Sequence, residues 1–166
     1  MPYSLAVKNK ATKFIKDYGN GIAQAIKGTG LFFPAVVAQK ALESGWGQSS
    51  LTKEANNFGG IKYAPSLPGV TGYVIKDTTE FVRGRRVNVK AKFSKFKDVE
   101  SGIRATITVL LGERYKAARL NAKTPQEQVL MIAKAGYTTT PAQQYVDKLN
   151  GIIEATQDLT GLGRIY

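Results

Sequence analysis

The feature that most constrains this chain is residues 31–62, LFFPAVVAQKALESGWGQSSLTKEANNFGGIK. Residues 31–44 read as a helix, with Pro34 accepted in the first turn. Val37, Ala38, Ala41 and Leu42 fall on one face and Val36 on the other, so the helix is expected to be packed on both sides. The rest of the chain then has to wrap around it. The apolar run stops at Gly45 and opens into a loop rich in Trp, Ser, Asn and Gly, with one carboxylate, Glu43, at the junction.

The flanking sequence supplies mainly helices. Val7, Ala11, Phe14, Ile15 and Tyr18 recur at helical spacing over residues 5–18, and Gly19, Asn20 and Gly21 are expected to end that helix. A short helix over 22–27 follows. Residues 45–68 read as loop with one short helix near Leu51. The texture then changes: Tyr73-Val74-Ile75 and Thr78 to Val82 have strand composition, and Val87 to Phe93 alternates with period two. With Arg83-Gly84-Arg85 between them these runs predict a β-hairpin, one face of which carries Arg86, Lys90 and Lys92. Asp98 is placed to cap a helix over 99–111, and Thr124-Pro125-Gln126-Glu127 is a capping box for a helix reaching Ala135 and Gly136. Thr140-Pro141 opens the last helix, with Tyr145, Leu149, Ile152 and Ile153 as its apolar stripe. No repeat or linker interrupts the pattern, so residues 1–166 are expected to form one domain, α+β in class and mainly α, with one hairpin inserted near the middle.

Composition narrows the chemistry. The chain has no cysteine and no histidine, which removes disulfides, thiolate nucleophiles, the commonest general base and the commonest zinc ligand. Acid–base work near neutral pH falls to carboxylates, Tyr or Lys. A net charge of +12 favours polyanionic partners such as nucleic acid, anionic lipid or acidic envelope polymers. No nucleic-acid motif accompanies that charge, and the aromatics are not interleaved with the basic runs. The N-terminal segment MPYSLAVKNKATKF lacks a signal-peptide pattern, and no apolar run is long enough to span a membrane.

Of the twelve acidic residues, Asp98 and Glu127 read as caps. Asp17, Glu100, Glu113, Asp147, Glu154 and Asp158 read as surface charges. Glu43, Glu54, Asp77 and Glu80 remain. Glu43 lies in the last turn of the central helix, where the dipole, unpaired carbonyls and apolar neighbours all disfavour a negative charge. A carboxylic acid held protonated there is what protonation of a glycosidic oxygen requires. The alternative is an exposed Glu on a polar helix face. Trp46, the single tryptophan, is suited to stacking on a sugar face or to core packing. Asn56-Asn57 suits turns or bonds to sugar amides, and Gly59-Gly60 suits close backbone approach or a tight turn.

Two motifs carry a family resemblance. Ala41-Leu42-Glu43-Ser44-Gly45-Trp46-Gly47-Gln48-Ser49, followed by Ala55-Asn56-Asn57-Phe58-Gly59-Gly60-Ile61-Lys62, resembles the signature of the bacterial glucosaminidase domain, glycoside hydrolase family 73. Thr79-Glu80-Phe81, Phe93-Ser94-Lys95-Phe96, Gly136 to Pro141 and Tyr145 resemble later family motifs in the right order, so the likeness covers roughly residues 5 to 155. Two departures stand out: Phe58-Gly59 where the family usually has Leu-Phe, and Thr140 where it often has Asp.

The resemblance implies a lysozyme-like helical fold with a β-hairpin lobe beside a cleft. It implies cleavage of the β-1,4 bond between N-acetylglucosamine and N-acetylmuramic acid in peptidoglycan. Glu43 matches the general acid, Glu80 the second carboxylate and Tyr137 a tyrosine lining the cleft; Trp46, Gln48, Asn57 and Tyr137 are expected to bind substrate. Asp77 competes with Glu80 for the second role. No metal or cofactor is expected. The expected partners are peptidoglycan strands and, peripherally, the anionic envelope, with the chain acting as a monomer at the cell wall. The absence of both a signal pattern and wall-anchoring repeats suggests a phage enzyme released by a partner, or a domain excised from a larger autolysin. A lytic transglycosylase or muramidase cutting the other bond, and a glycan-binding module without activity, are the alternatives.

Overall fold

The computed structural model describes residues 3–161, so the expected span of 1–166 runs past them at both ends. Seven α-helices and one hairpin are seen among these residues: α1 (Leu5–Ile26), α2 (Phe33–Glu43), α3 (Ser50–Ala55), β1 (Val70–Val82), β2 (Arg85–Phe96), α4 (Val99–Leu110), α5 (Lys116–Asn121), α6 (Pro125–Ile132) and α7 (Ala142–Thr160).

α2 is the axis of the fold. Every residue from Pro34 to Ala41 is buried, and it packs against α1, α6 and α7. Its entry is held from outside, because Phe32 carries no side-chain cap. The buried amide of Gln128 accepts from the Phe32 N–H at 2.8 Å and donates to the carbonyls of Gly30 and Ala118, closing orphan groups at the start of the helix. Phe14, Ile22, Val36, Val37, Ile103, Ile107, Leu110, Leu149 and Ile153 fill the surrounding core.

Three local expectations change. α1 runs straight through Gly19-Asn20-Gly21 instead of stopping there. Gly19 is buried, and a Cβ on it would meet Ile15 Cγ2 of the same helix at 3.0 Å and the Phe33 ring at 3.4 Å, so this glycine sits in close packing inside α1 rather than breaking it. A 3₁₀ turn at Glu113–Tyr115 and α5 were not anticipated. α6 ends at Ile132 and passes into a π turn, Ala133–Tyr137, in which Gly136 takes φ 96°. The predicted caps are present: Asp98 accepts from the Ser101 N–H at 2.8 Å and Thr124 from the Glu127 N–H at 3.0 Å.

The hairpin pairs antiparallel from Val70↔Phe96 to Val82↔Arg85. Arg83 and Gly84 form its two-residue turn, both at positive φ, which matches the right-handed twist of the strands. Val74, Lys76 and Thr78, with Val89, Ala91 and Phe93, form the less exposed face. Arg86, Lys90 and Lys92 share the opposite, exposed face as expected. There they meet the Phe81 ring, Asp77 and the Tyr73 ring respectively, so this face is a solvated basic surface.

Candidate active site

The chain reverses sharply after α2. Gly45, Trp46 and Gly47 take φ of 55°, 60° and 78° in succession. Ser44 locks the turn: its hydroxyl donates to the Lys40 carbonyl and accepts from the Gly47 N–H at 2.9 Å. Two of the three positions are glycine because the left-handed region suits no other residue well. A Cβ on Gly47 would also come within 2.7 Å of the Tyr18 ring. Trp46 is held in this unfavourable conformation by packing, its ring meeting Phe14 edge-on at 6.3 Å.

This turn leaves Glu43 at the edge of an open cavity of ≈ 360 Å³. Lys40 and Glu43 from α2, Thr106 and Val109 from α4, Arg114 and Tyr115 from the 3₁₀ turn, and Gly136 and Tyr137 from the π turn form its walls, with Gly59 and Ile61 as the rim. The Glu43 side chain is 19% exposed. The Tyr137 hydroxyl donates to Oε1, and Lys40 Nζ lies 3.3 Å from Oε2. Lys40 Nζ is also 3.4 Å from the Tyr137 hydroxyl, closing a three-residue network. Burial first, then the charge of Glu43, pushes the Tyr137 phenol well above its ordinary range, so it stays a donor. The same causes raise the Tyr145 phenol, whose hydroxyl is 3.3 Å from the Gln39 amide behind the network.

Of the residues singled out in the sequence, the structure brings Glu43 and Tyr137 together. The isolated acid expected at the helix end is corrected: Glu43 is ion-paired with Lys40, although its carboxylate still borders the cavity. Glu80 stands on the hairpin, 48% exposed, 2.8 Å from Lys62, and does not line the Glu43 cavity. Its partner comes from the loop before the hairpin rather than from the facing strand. Asp77 pairs with Lys90 and Glu54 with Lys76.

Asn57 is 1% exposed, and its amide is consumed by the backbone. It donates to the Ile61 and Ser94 carbonyls, both at 2.9 Å, and accepts from the Ile61 N–H at 3.0 Å. It braces the loop that forms the cavity rim. Trp46 packs on the core, and exposed Gln48 lies outside the cavity.

Lys40, Arg114 and Tyr115 were missed. A signal for Lys40 was present: a lysine three residues before Glu43, in a segment already read as packed on both sides. Arg114 and Tyr115 gave none, since only the unforeseen 3₁₀ turn aims them inward.

A second groove of ≈ 550 Å³ opens between the start of α3 and the hairpin, lined by Ser49, Leu51, Gly60, Lys62, Lys76 and Phe93 among others. Alternate residues of one loop serve the two spaces: Gly59 and Ile61 face the Glu43 cavity, Gly60 and Lys62 the groove. Among the described residues no cluster of three or more acidic or sulfur ligands is placed to hold a metal, and no helix is long and apolar enough to cross a membrane.

Comparison with known proteins places this architecture. Peptidoglycan hydrolase FlgJ of Salmonella typhimurium is 32% identical over 123 residues, 72% of this chain and 38% of that protein. Exo-glucosaminidase LytG of Bacillus subtilis is 32% identical over 124 residues, 71% of this chain and 42% of that protein. The chain therefore spans about two fifths of the length of these relatives. The crystal structure of the catalytic domain of the Listeria monocytogenes autolysin Auto matches with a TM-score of 0.76 at 26% identity, covering 92% of this chain and 86% of that one. The fold is thus the lysozyme-like helical body with a hairpin lobe that the family resemblance implied. The glucosaminidase family, described as mannosyl-glycoprotein endo-beta-N-acetylglucosaminidase, matches residues 19–158, and this chain belongs to it.

Proposed function

We propose that this chain is a peptidoglycan hydrolase that cleaves the β-1,4 bond between N-acetylglucosamine and N-acetylmuramic acid. The observation that carries the reading is the Glu43 carboxylate, fixed by Tyr137 and Lys40 at the edge of an open cavity in a chain of the glucosaminidase family. The FlgJ relatives are named peptidoglycan hydrolases and LytG an exo-glucosaminidase, which supports the same reading.

In this reading Glu43, once protonated, gives its proton to the glycosidic oxygen as the bond breaks. Tyr137 keeps the carboxyl group aimed at the cavity through its hydroxyl. Glu80 is the second carboxylate, acting on water or on the positive charge that builds on the sugar ring. To reach substrate it leaves Lys62, which a surface ion pair permits at little cost, about 0–1 kcal/mol. The two spaces flanking the 59–62 loop give a glycan strand a path from the Glu43 cavity to the hairpin. Trp46 and Asn57 then serve the substrate indirectly, one by fixing the turn after α2 and the other by bracing the rim. Gln48, exposed on that turn, contacts a more distant part of the strand. Net charge of +12 draws the protein, as a monomer, to an anionic wall, chiefly by raising the encounter rate. The site of action is the bacterial cell wall.

Purified peptidoglycan incubated with the wild type, Glu43→Gln and Glu80→Gln tests the reading. The wild type should release soluble glycan fragments and Glu43→Gln should release almost none. Wall binding without release, equal in wild type and Glu43→Gln, would show a binding module instead.

A further inference from the structure

Lys40 is an expensive residue to place where it stands. Its side chain is 1% exposed, in a helix that also buries Val36, Val37, Ala38 and Ala41. Removing an ammonium from water costs several kcal/mol unless a partner offsets it. Its hydrogen-bonding partners are both at the active site: Glu43 Oε2 at 3.3 Å and the Tyr137 hydroxyl at 3.4 Å. The ammonium also lies 5.8 Å from the centre of the Tyr137 ring. An apolar side chain of similar volume would fill the same space without the desolvation cost, so packing alone does not account for a lysine here.

The groups that face Glu43 make Lys40 the cation in contact with it. Its own helix contributes Lys40. The π turn contributes Tyr137, and α7 contributes Tyr145, both phenols held protonated by burial and by the carboxylate. The 3₁₀ turn places Arg114 and Tyr115 on the far wall of the cavity, while α4 and the 59–62 loop offer no charged side chain to it.

Resting on the reading of Glu43 as the acid, we propose that Lys40 is a positioning residue that clamps Glu43 against Tyr137 between turnovers. The proton that Glu43 gives to the leaving oxygen is replaced from solvent through the open cavity.

The test is kcat and KM on soluble, uncross-linked glycan strands at several pH values for the wild type, Lys40→Met and Glu43→Gln, with the order of the Glu43 carboxyl followed by ¹³C NMR relaxation in the wild type and Lys40→Met. Releasing the clamp should lower kcat by up to about 100-fold, the cost of misplacing a reacting group by about 1 Å, with KM little changed and the carboxyl more mobile. Unchanged kcat and unchanged carboxyl relaxation in Lys40→Met would overturn the proposal. Full activity in Glu43→Gln would overturn the catalytic reading, whereas the clamp would then stand or fall on the carboxyl relaxation alone. Should Lys40→Met fail to fold, Lys40→Gln carries the same measurements.

Discussion

Tyr137 and Glu43 lie 94 positions apart in the chain, yet the tyrosine hydroxyl donates directly to Oε1 of the glutamate. The contact exists because α6 does not end in a plain cap. Its last turn widens into the π turn, and Gly136, in the left-handed region, swings Tyr137 back over the end of α2. The ring is then fixed between Tyr115 and Tyr145, with centroids 6.0 Å and 6.1 Å away.

Tyr137→Phe keeps that packing and deletes the bond. A hydrogen bond to a charged group contributes about 1.5–3 kcal/mol. If the hydroxyl holds the acid in place, kcat should fall about 10- to 100-fold with KM little changed. Steady-state kinetics on glycan strands, alongside a thermal melt to show intact folding, checks this.

Alkaline pH should destabilise the fold through the same tyrosines. Both Tyr137 and Tyr145 have phenols raised above the ordinary 10.0 by burial first and by Glu43 second. Above pH of about 10 the unfolded chain releases these protons while the folded chain keeps them, so the unfolded state binds fewer protons and stability falls as pH rises. The slope should be about 1.4 kcal/mol per pH unit for each phenol. Urea denaturation at a series of pH values above about 9.5 would show it, and Tyr137→Phe should roughly halve the slope.

Asn57→Ala tests the rim. The substitution leaves the Ile61 N–H and the Ser94 carbonyl without the amide that binds them, and takes one of two donors from the Ile61 carbonyl, which keeps the Ser94 N–H at 3.0 Å. With each unsatisfied group costing about 1–3 kcal/mol, and some recovering water, a loss of about 3 kcal/mol is expected in chemical denaturation. Activity should drop with the rim. A stable variant with selectively weakened glycan binding would instead assign the amide to the sugar.

Glu80→Gln separates two roles of one side chain. The ion pair with Lys62 is exposed, so stability should change by less than about 0.5 kcal/mol. As the second carboxylate, Glu80 should still cost at least about 100-fold in kcat when neutralised, in the range of a positioned acid–base group. An unchanged kcat would remove Glu80 from the mechanism and leave the substrate's own acetamido group as the candidate.

The sequence was most legible where pattern and physics coincide. The period-two run of β2, the caps at Asp98 and Thr124, and the doubly packed α2 all follow from side-chain spacing. Gly19 misled because a glycine that permits close helix contact looks, in one dimension, like one that ends a helix. Glu43 was legible from the abrupt close of α2. Lys40 left a signal, three residues before Glu43 in a doubly packed segment, but a lysine between Gln39 and Ala41 reads as a solvent-facing position until the second packing layer is known. Arg114 and Tyr115 depend on a three-residue turn too short to leave a periodic trace. The motif around Asn57 was visible, while its use as a brace depends on Ser94, 37 positions away.

The most direct test of the central claim is the chemical identity of the ends formed when purified peptidoglycan is digested. Fragments would be reduced with borohydride and weighed by mass spectrometry, with Glu43→Gln run beside the wild type. New reducing-end N-acetylglucosamine, absent from the Glu43→Gln digest, is the predicted result. Anhydro-muramyl or reducing N-acetylmuramic ends, or the same fragments from both proteins, would contradict it.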